Sequence, residues 1–329
     1  MAEAYHQPVL VEEVCTALVP CLREIEGCRN GRPARVLVDA TCGGGGHTLA
    51  LLQAGRPDVV VALDRDSDAI SETGRKLAAP AAALEVELHL IHAPNAQLTT
   101  VLAELGVTKV SALLADLGVS SHQLDSGPRG FSFRQSAPLD MRMDRRVGLT
   151  AAQVLATIDE SDLAKILREY GEESDAKRIA RAVCQARPTT TLELANCVAD
   201  AMSARQRRAL GLRIHPATRT FQALRIHVNG ELEQLEALLQ ASPEFLAVGG
   251  RMGVITFHSL EDRPVKRHFS RLSKAPQPPA GLPILATDLP RPRFCTPRSL
   301  RSLTPSAQEL AANPRSRSSR LRVLERLAA

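Results

Sequence analysis

The first third of the chain alternates short apolar runs with amphipathic segments. The apolar runs predict strands over residues 35–41, 59–64, 85–91 and 110–116. The segments between them predict helices over residues 48–54, 67–79 and 98–105. Each strand is apolar at consecutive positions, as expected when both faces of a strand are buried. This alternation predicts an α/β fold, in which a parallel sheet carries helices on both faces.

The pattern changes after residue 126, because no convincing strand occurs between Gly127 and Asn229. Helices are predicted over residues 150–156, 161–170, 174–186 and 192–203, with Asp162 and Ser174 as N-caps. The next segments predict a helix over residues 217–240, a buried strand over 251–257 and a second helix over 261–272. A proline-rich extended loop over 275–297 and a closing strand over 319–326 are expected to follow. The expected domains are therefore a sheet domain over 1–126 and 229–329, with a helical domain over 127–228 inserted into it.

Charge is distributed unevenly along the 329 residues. The 41 Lys and Arg residues exceed the 36 Asp and Glu residues by five, but residues 290–329 alone carry nine Arg and two Glu. A second basic run, with no acid between Asp200 and Glu231, contains Arg205, Arg207, Arg208, Arg213, Arg219 and Arg225. Two such clusters favour binding to the phosphates of a polyanionic partner over a merely solvated surface. Since aromatic residues are only 3% of the chain, binding mainly by base stacking is not expected.

The sequence excludes several other classes. No apolar run approaches the length of a membrane span, and the N-terminus carries no pattern of a secretory signal. The seven cysteines contain no Cys-x-x-Cys pair, so we expect reduced thiols in the cytoplasm. The spacing of Cys15, Cys21 and Cys28 matches no zinc pattern, and no metal is predicted.

A candidate cofactor site lies at the predicted strand ends. Asp39, Asp64 and Asp116 each close a strand, and four glycines over 43–46 follow the first of them. Asp64, 18 residues after this loop, can accept hydrogen bonds from both ribose hydroxyls of a nucleoside cofactor. Such a cofactor could be either a nicotinamide dinucleotide or S-adenosylmethionine. Thr48 stands where a dinucleotide site needs its third glycine, and Asp39 would repel a pyrophosphate. The pattern therefore favours the cationic methyl donor, with a glycine turn needed only for folding as the structural alternative.

Eight motifs then occur in an order that is typical of one family. They are 6–10 (HQPVL), 39–47 (DATCGGGGH), 116–121 (DLGVSS), 129–133 (RGFSF), 138–144 (PLDMRMD), 215–221 (HPATRTF), 257–263 (FHSLEDR) and 313–317 (NPRSR). On these residues the chain closely resembles the MraW family of bacterial ribosomal RNA small subunit methyltransferases. The resemblance extends over essentially the whole chain.

The resemblance implies a class I, Rossmann-like methyltransferase sheet with an inserted all-helical domain. The implied reaction transfers a methyl group from S-adenosyl-L-methionine to the exocyclic N4 of a cytidine in the decoding region of 16S ribosomal RNA. The implied cofactor contacts are Gly45, Gly46, His47, Asp64, Asn95, Asp116 and Gln123. Relatives can carry an aromatic residue at position 95, where an asparagine can hydrogen-bond to the adenine but cannot stack on it. The expected partner is 16S rRNA within the small ribosomal subunit, with no membrane involved and a homodimer left open.

Analogy does not identify the group that accepts the amino proton. The catalytic candidates are Asp116, Ser120 and Ser121, and Asp140 on the following loop is a further one. His258 and Glu261, after the fifth strand, could line the same cleft. Phe131 and Phe133 could flank a flipped-out cytosine. Structural alternatives stay open for each group: a cap for the serines, dipole-favoured charge at a helix start for Glu261, and core packing for the phenylalanines.

Two other functions remain open at this point. A non-catalytic RNA-binding ribosome assembly factor could keep the same fold and the same basic clusters. A nicotinamide-dependent oxidoreductase could use the same sheet, and cofactor titration would separate it from a methyltransferase.

Overall fold

The computed structural model describes residues 8–211, 215–275 and 291–328. Its strands are β1 (Gly27–Arg29), β2 (Arg32–Ala34), β3 (Val36–Asp39), β4 (Val59–Asp64), β5 (Glu87–His92), β6 (Val107–Asp116), β7 (Leu246–Thr256), β8 (Phe294–Cys295) and β9 (Arg320–Arg326). Its helices are α1 (Val11–Glu24), α2 (Gly46–Gly55), α3 (Ser67–Ala83), α4 (Leu98–Glu104), α5 (Ser121–Asp125), α6 (Ala151–Thr157), α7 (Glu160–Gly171), α8 (Ala176–Ala186), α9 (Thr191–Ala201), α10 (Ala204–Leu210), α11 (Thr218–Asn229), α12 (Glu231–Phe245), α13 (Ser259–Leu272) and α14 (Ala307–Ala312).

The described strands join in one sheet whose order is β5-β4-β3-β6-β7-β9-β8, with the β1–β2 hairpin attached to β6. β3 to β7 run parallel, and β9 and β8 close the edge antiparallel. Asp39 pairs with Leu114, and Asp116 pairs with Ile255, so the carboxyl ends of β3, β6 and β7 meet at one edge. This arrangement confirms the predicted α/β fold with a mainly parallel sheet.

Both faces of the sheet are buried, because successive residues of each central strand point to opposite sides. In β3, Val36 and Val38 enter a core packed by α4, α12 and α13, while Leu37 enters a second core packed by α1 and α2. A polar residue would be costly on either face. This explains why the central strands read as unbroken apolar runs.

The chain divides into two compact units, one over Met1–Gly118 with Glu233–Ala329 and one over Val119–Leu232. The second unit contains α5 to α11 and has its own apolar core, in which Leu155, Leu167 and Leu224 are fully buried. The unit boundaries reflect packing: Val119 and Leu124 join the helical core, whereas Leu235 joins the sheet core. The domain boundaries at 126 and 228 stay a sequence-based prediction.

Several local predictions were wrong for identifiable reasons. The helix expected over 217–240 is two helices, α11 and α12, because Gly230 adopts a left-handed φ of 57° between them. The N-cap of α7 is Asp159, which accepts a 2.9 Å hydrogen bond from the Asp162 N–H, so Asp162 lies inside the helix. α8 begins after Asp175, without a side-chain cap.

Some elements had no counterpart in the sequence analysis, namely α1, the β1–β2 hairpin, α5, α10, β8 and α14. α1 begins after Leu10 in a left-handed conformation and contains Pro20, so it lacks ordinary helix signals. Most of the loop predicted over 275–297 lies outside the described residues. Among the helices of the described regions, none has both the length and the apolar character required to cross a bilayer.

Candidate functional site

The candidate site is built at the carboxyl edge of the sheet, where strand order reverses. β3 has β4 and β5 on one side and β6 and β7 on the other. Ligands of such sheets bind in the crevice outside the strand ends at this reversal. Asp39 ends β3 and Asp116 ends β6, so the sequence has placed carboxylates on both sides of the crevice.

The glycine loop is held against this edge by specific contacts. Gly45 has a φ of 71° and immediately precedes α2, and a Cβ there would lie 3.0 Å from Thr73 Oγ1. The Thr73 hydroxyl also donates to the Gly43 carbonyl at 2.8 Å. A side chain at Gly45 would therefore strain the backbone and displace α3. Gly46, the first residue of α2, packs equally closely on Pro8, since a Cβ there would lie 2.8 Å from the proline ring.

Asp64, at the end of β4, organises the loop through its carboxylate. Its Oδ2 accepts a hydrogen bond from the Gly43 N–H at 2.8 Å, and its Oδ1 accepts one from the Asp66 N–H at 2.9 Å. Burial raises the pKa of Asp64 to about 6, because its effect outweighs that of these hydrogen bonds, which lower the pKa. Each oxygen retains acceptor capacity, because a carboxylate offers about four lone-pair sites. Asp64 can therefore accept further hydrogen bonds from a ligand.

Asp39 supports the loop from within the core. It is 1% exposed, and its Oδ2 accepts from the Thr48 hydroxyl at 2.6 Å while its Oδ1 accepts from the Thr41 N–H at 3.2 Å. Burial raises the pKa of Asp39 to about 6, and repulsion from Asp64 adds to the rise. One oxygen holds the first turn of α2 and the other holds the segment just after β3, so Asp39 contributes charge to the site rather than a free ligand-binding atom.

Asp116 and His47 lie next to each other in the crevice. Asp116 Oδ2 lies 3.5 Å from His47 Nδ1, and His47 Nε2 lies 2.7 Å from the Val9 carbonyl oxygen. A carbonyl only accepts, so Nε2 carries the ring proton. Burial lowers the pKa of His47 to about 4, so the ring is neutral at pH 7 and Nδ1 is an acceptor. The two side chains therefore do not form an ion pair at neutral pH.

Asp116 has an oxygen without a protein partner. Among the described residues, nothing donates to its buried Oδ1, while its backbone N–H donates to the Thr41 hydroxyl at 2.6 Å. Burial raises the pKa of Asp116 well above its ordinary value, and repulsion from Asp39 and Glu261 raises it further. An unpartnered buried acceptor is costly, which indicates a site completed by a ligand.

Glu261 lies near Asp116, and His258 lies beside Glu261. Glu261 is 3% exposed, and its Oε2 accepts from the Phe257 N–H at 2.7 Å. His258 Nε2 is 3.2 Å from Glu261 Oε1, but the two atoms are not aligned as a hydrogen bond, and both His258 ring nitrogens are buried and unpartnered among the described residues. Glu261 supports the strand-to-helix turn through this hydrogen bond, and its predicted place in the cleft stays a prediction.

Asn95 follows β5, and its buried Oδ1 also lacks a partner among the described residues. β5 lies beside β4, so Asn95 and Asp64 belong to neighbouring strand ends. An amide oxygen without a donor can accept from an exocyclic amino group such as that of adenine.

Ser120, Ser121 and Gln123 belong to the helical unit, whereas the other predicted cofactor contacts belong to the sheet unit. Ser120 caps α5: its hydroxyl accepts from the Gln123 N–H at 3.2 Å, and Gln123 Oε1 accepts from the Ser120 N–H at 3.0 Å. This is the capping box encoded by S-x-x-Q. The side chain of Ser121 lies outside the described part of the structure. The roles assigned to these three residues stay predictions.

Other candidates in the helical unit have structural contacts. Asp140 accepts two hydrogen bonds from Arg142 at 2.7 and 3.0 Å. Burial raises the pKa of Asp140, but the hydrogen bonds and the charge of Arg142 lower it further, so the pKa lies below its ordinary value. Asp140 is therefore a poor proton acceptor. Phe133 stacks on His215 at 4.4 Å, and Phe131 is 6% exposed in the helical core. Packing therefore accounts for both phenylalanines.

Part of each basic cluster is engaged inside the protein, contrary to the expectation that its arginines bind phosphate. Arg322 is 7% exposed on β9 and forms two hydrogen bonds with Asp262 at 2.6 and 2.8 Å. Arg225 pairs with Glu231 at 2.8 Å. Arg205, Arg208, Arg298 and Arg301 are exposed, and Arg213 lies outside the described residues.

The residues present fit S-adenosylmethionine better than a dinucleotide. Three carboxylates whose pKa values are raised by burial surround the glycine loop, and a bound cation would relieve their mutual repulsion. A pyrophosphate would add to that repulsion. The unpartnered Oδ1 of Asn95 is an acceptor, and it matches the amino group on the adenine of S-adenosylmethionine.

Comparisons with known proteins agree with this chemistry. A family model described as the MraW methylase family matches residues 3–327. The chain is 46% identical over 328 residues to the ribosomal RNA small subunit methyltransferase H of Syntrophotalea carbinolica, with 98% of each chain covered. The proteins of the same name from Frankia alni and Herminiimonas arsenicoxydans are 47% and 44% identical, with 98% of this chain and 95% of each relative covered.

Proposed function

The chain belongs to the MraW methylase family, and on that premise we propose that it transfers a methyl group from S-adenosyl-L-methionine to the exocyclic N4 of a cytidine in the decoding region of 16S ribosomal RNA. The observation that carries this proposal is the cluster of Asp39, Asp64 and Asp116 around the glycine loop at the carboxyl edge of the sheet. This cluster suits a cationic nucleoside cofactor.

The amino nitrogen of cytosine is a poor nucleophile, because its lone pair is delocalised into the ring. When bound, S-adenosylmethionine supplies an electrophilic methyl group on a sulfonium. The work left to the protein is to position the base and to accept the proton that the amino group loses. No nucleophilic cysteine is needed, because no carbon of the base is attacked.

Asp116 is the acceptor that the geometry favours. Its unpartnered Oδ1 is free to take an amino proton, and its raised pKa makes the ionised carboxylate a stronger base than an exposed aspartate. His47 holds its unprotonated Nδ1 3.5 Å from the other oxygen of Asp116. Asp140 is disfavoured because Arg142 already occupies both of its oxygens.

The cofactor contacts follow from the strand ends. Asp64 accepts the ribose hydroxyls, and Asn95 Oδ1 accepts from the adenine amino group. Gly45 and Gly46 hold the loop at the site because, without side chains, they pack closely on Thr73 and Pro8. The further contact that the resemblance implies at Gln123 belongs to the helical unit and stays a prediction.

The substrate is 16S rRNA in the context of the small ribosomal subunit, and the reaction takes place in the cytoplasm. The named relatives support an rRNA substrate, and the seven free cysteines suit a reducing compartment. Oligomeric state, including a homodimer, stays a prediction.

A non-catalytic assembly factor is the alternative, and methyl transfer separates the two functions. We expect the wild-type protein, given tritiated S-adenosylmethionine, to place label on 16S rRNA offered as naked RNA or as 30S subunits. The control is the same mixture with S-adenosylhomocysteine added in excess, which should suppress the label. RNA binding without label on either substrate would favour the assembly factor.

Cofactor affinity should rise with pH between about 5 and 7. Asp39 and Asp64 have pKa values raised to about 6, so they ionise over this interval, and a cation binds the ionised site better. The stability of the ligand-free protein should change with pH in the opposite direction. As pH rises from 3.8 to about 6, these carboxyls lose protons more readily in the unfolded chain than in the folded one, so the free energy of unfolding falls. Calorimetric titration of S-adenosylmethionine against pH measures the first effect. A dissociation constant that stays flat from pH 5 to 7.5 would contradict it.

A further inference from the structure

A basic groove lies on the sheet unit between α13 and the segment that leads into β8. Its volume is about 960 Å³, and its lining comes from α13, the residues just after it, and residues 291–294. None of its lining residues belongs to the candidate cofactor site. We refer to it as the α13 groove.

The sequence of α13 produces one wall of this groove. Val265 and Phe269 face the core and are at most 2% exposed. Arg263, Arg267 and Arg271 recur at every fourth residue on the solvent side, and Lys266 and Lys274 form a second, adjacent row. All five cations are exposed. The opposite wall adds Arg291 and Arg293, so cations line both sides.

These cations are poorly neutralised. Glu244 is the acidic residue among the described lining residues, and Arg293 already donates to it at 2.8 Å. In the described part of the chain, no carboxylate pairs with Lys266, Arg267, Lys274 or Arg291. Ordinary exposed helix faces mix both signs of charge, so a concave surface with this imbalance indicates a polyanionic ligand.

The groove lies toward the amino edge of the sheet, along the helix that begins beside the candidate active site. α13 begins at Ser259, two residues before Glu261, whose charge raises the pKa of Asp116. From Glu261 to Arg271 the helix axis extends about 15 Å. The two cation rows therefore lead away from the reacting end of the sheet along one helix.

We propose that the α13 groove binds the ribose-phosphate backbone of the RNA substrate, on the side of the target nucleotide that runs away from Asp116. This inference rests on the proposed function for the identity of the RNA. Phosphates are favoured over bases because Phe294, the aromatic ring among the described lining residues, is 2% exposed and cannot stack. The chain's own segment over 276–290 has a single acid, Asp288, and cannot balance the four groove cations that have no carboxylate partner in the described part of the chain.

The test compares two triple variants of equal charge. Lys266→Gln with Arg267→Gln and Lys274→Gln removes three groove cations that have no protein partner among the described residues. The control, Arg32→Gln with Arg56→Gln and Arg75→Gln, removes three exposed cations from other surfaces of the sheet unit. Binding of 16S rRNA is measured against salt concentration, and the dissociation constant of S-adenosylmethionine and the single-turnover methylation rate at saturating RNA are measured in parallel.

The groove variant should bind RNA at least about tenfold more weakly, with a salt slope smaller by about two, because each phosphate contact contributes roughly 0.7–0.9 to the slope. The control should match wild type. Cofactor affinity and the rate at saturating RNA should not change in either variant. If the groove variant and the control had equal RNA affinity and equal salt slopes while the wild-type protein methylated RNA, the α13 groove would not be an RNA-binding site. Failure of wild type to methylate would instead overturn the proposed function, and the binding comparison would still decide the groove.

Discussion

Asp116→Asn should slow methyl transfer by about 10²–10⁴-fold at saturating cofactor and RNA, the usual contribution of a positioned proton acceptor. Asparagine keeps the size of the side chain, and its amide can donate to His47 Nδ1, the nitrogen 3.5 Å from the present carboxylate. The variant should therefore fold, and the loss should fall on the rate. Single-turnover kinetics measure it.

The matched control is Glu104→Gln, which makes the same carboxylate-to-amide change on an exposed residue that ends α4, just before β6. It should leave the rate unchanged. Because Asp116 also faces the cofactor, the dissociation constant of S-adenosylmethionine is measured separately and the rate is compared at saturation. A rate for Asp116→Asn within about threefold of the wild-type rate would show that Asp116 is not the proton acceptor.

Asp64→Asn should weaken S-adenosylmethionine binding by on the order of 10²-fold, which corresponds to about 3 kcal/mol. Two hydrogen bonds from ribose hydroxyls to a carboxylate account for a loss of this size, since each contributes about 1.5–3 kcal/mol. The variant also loses the negative charge that a cationic cofactor favours, and its amide cannot accept from both Gly43 and Asp66 as the carboxylate does now.

Asp58→Asn is the control for this effect, because Asp58 immediately precedes the same strand and lies at its opposite end, where it pairs with Arg35 on the surface. It should bind the cofactor like wild type. If Asp64→Asn bound S-adenosylmethionine as tightly as Asp58→Asn, the assignment of the ribose contact to Asp64 would be wrong.

The sheet could be predicted because burial on both faces imposes a continuous apolar run. β4 was predicted with its observed bounds, Val59–Asp64, and its final residue is the acid that organises the glycine loop. Helix ends were less predictable. Asp159 rather than Asp162 caps α7, since several neighbouring acids could serve and only the backbone conformation selects one.

The parts of the site that escaped prediction depend on contacts between distant residues. The proton position on His47 is fixed by the carbonyl of Val9, 38 residues earlier in the chain. The Thr41 hydroxyl links the glycine loop to β6 across 75 residues. The cation rows of α13 were visible as a four-residue spacing, but only the fold places Arg291 and Arg293 opposite them. The motif 6–10 was the one available signal for the contact at Val9.

The most direct test of the central claim identifies the nucleoside that receives the methyl group. RNA labelled by the wild-type protein with tritiated S-adenosylmethionine is digested to nucleosides, and the labelled position is also mapped along 16S rRNA. Methyl transfer to an amino nitrogen, with Asp116 as proton acceptor, predicts N4-methylcytidine in the decoding region. Label on a base carbon or on a ribose would contradict it, because that chemistry requires a different nucleophile and different groups around it.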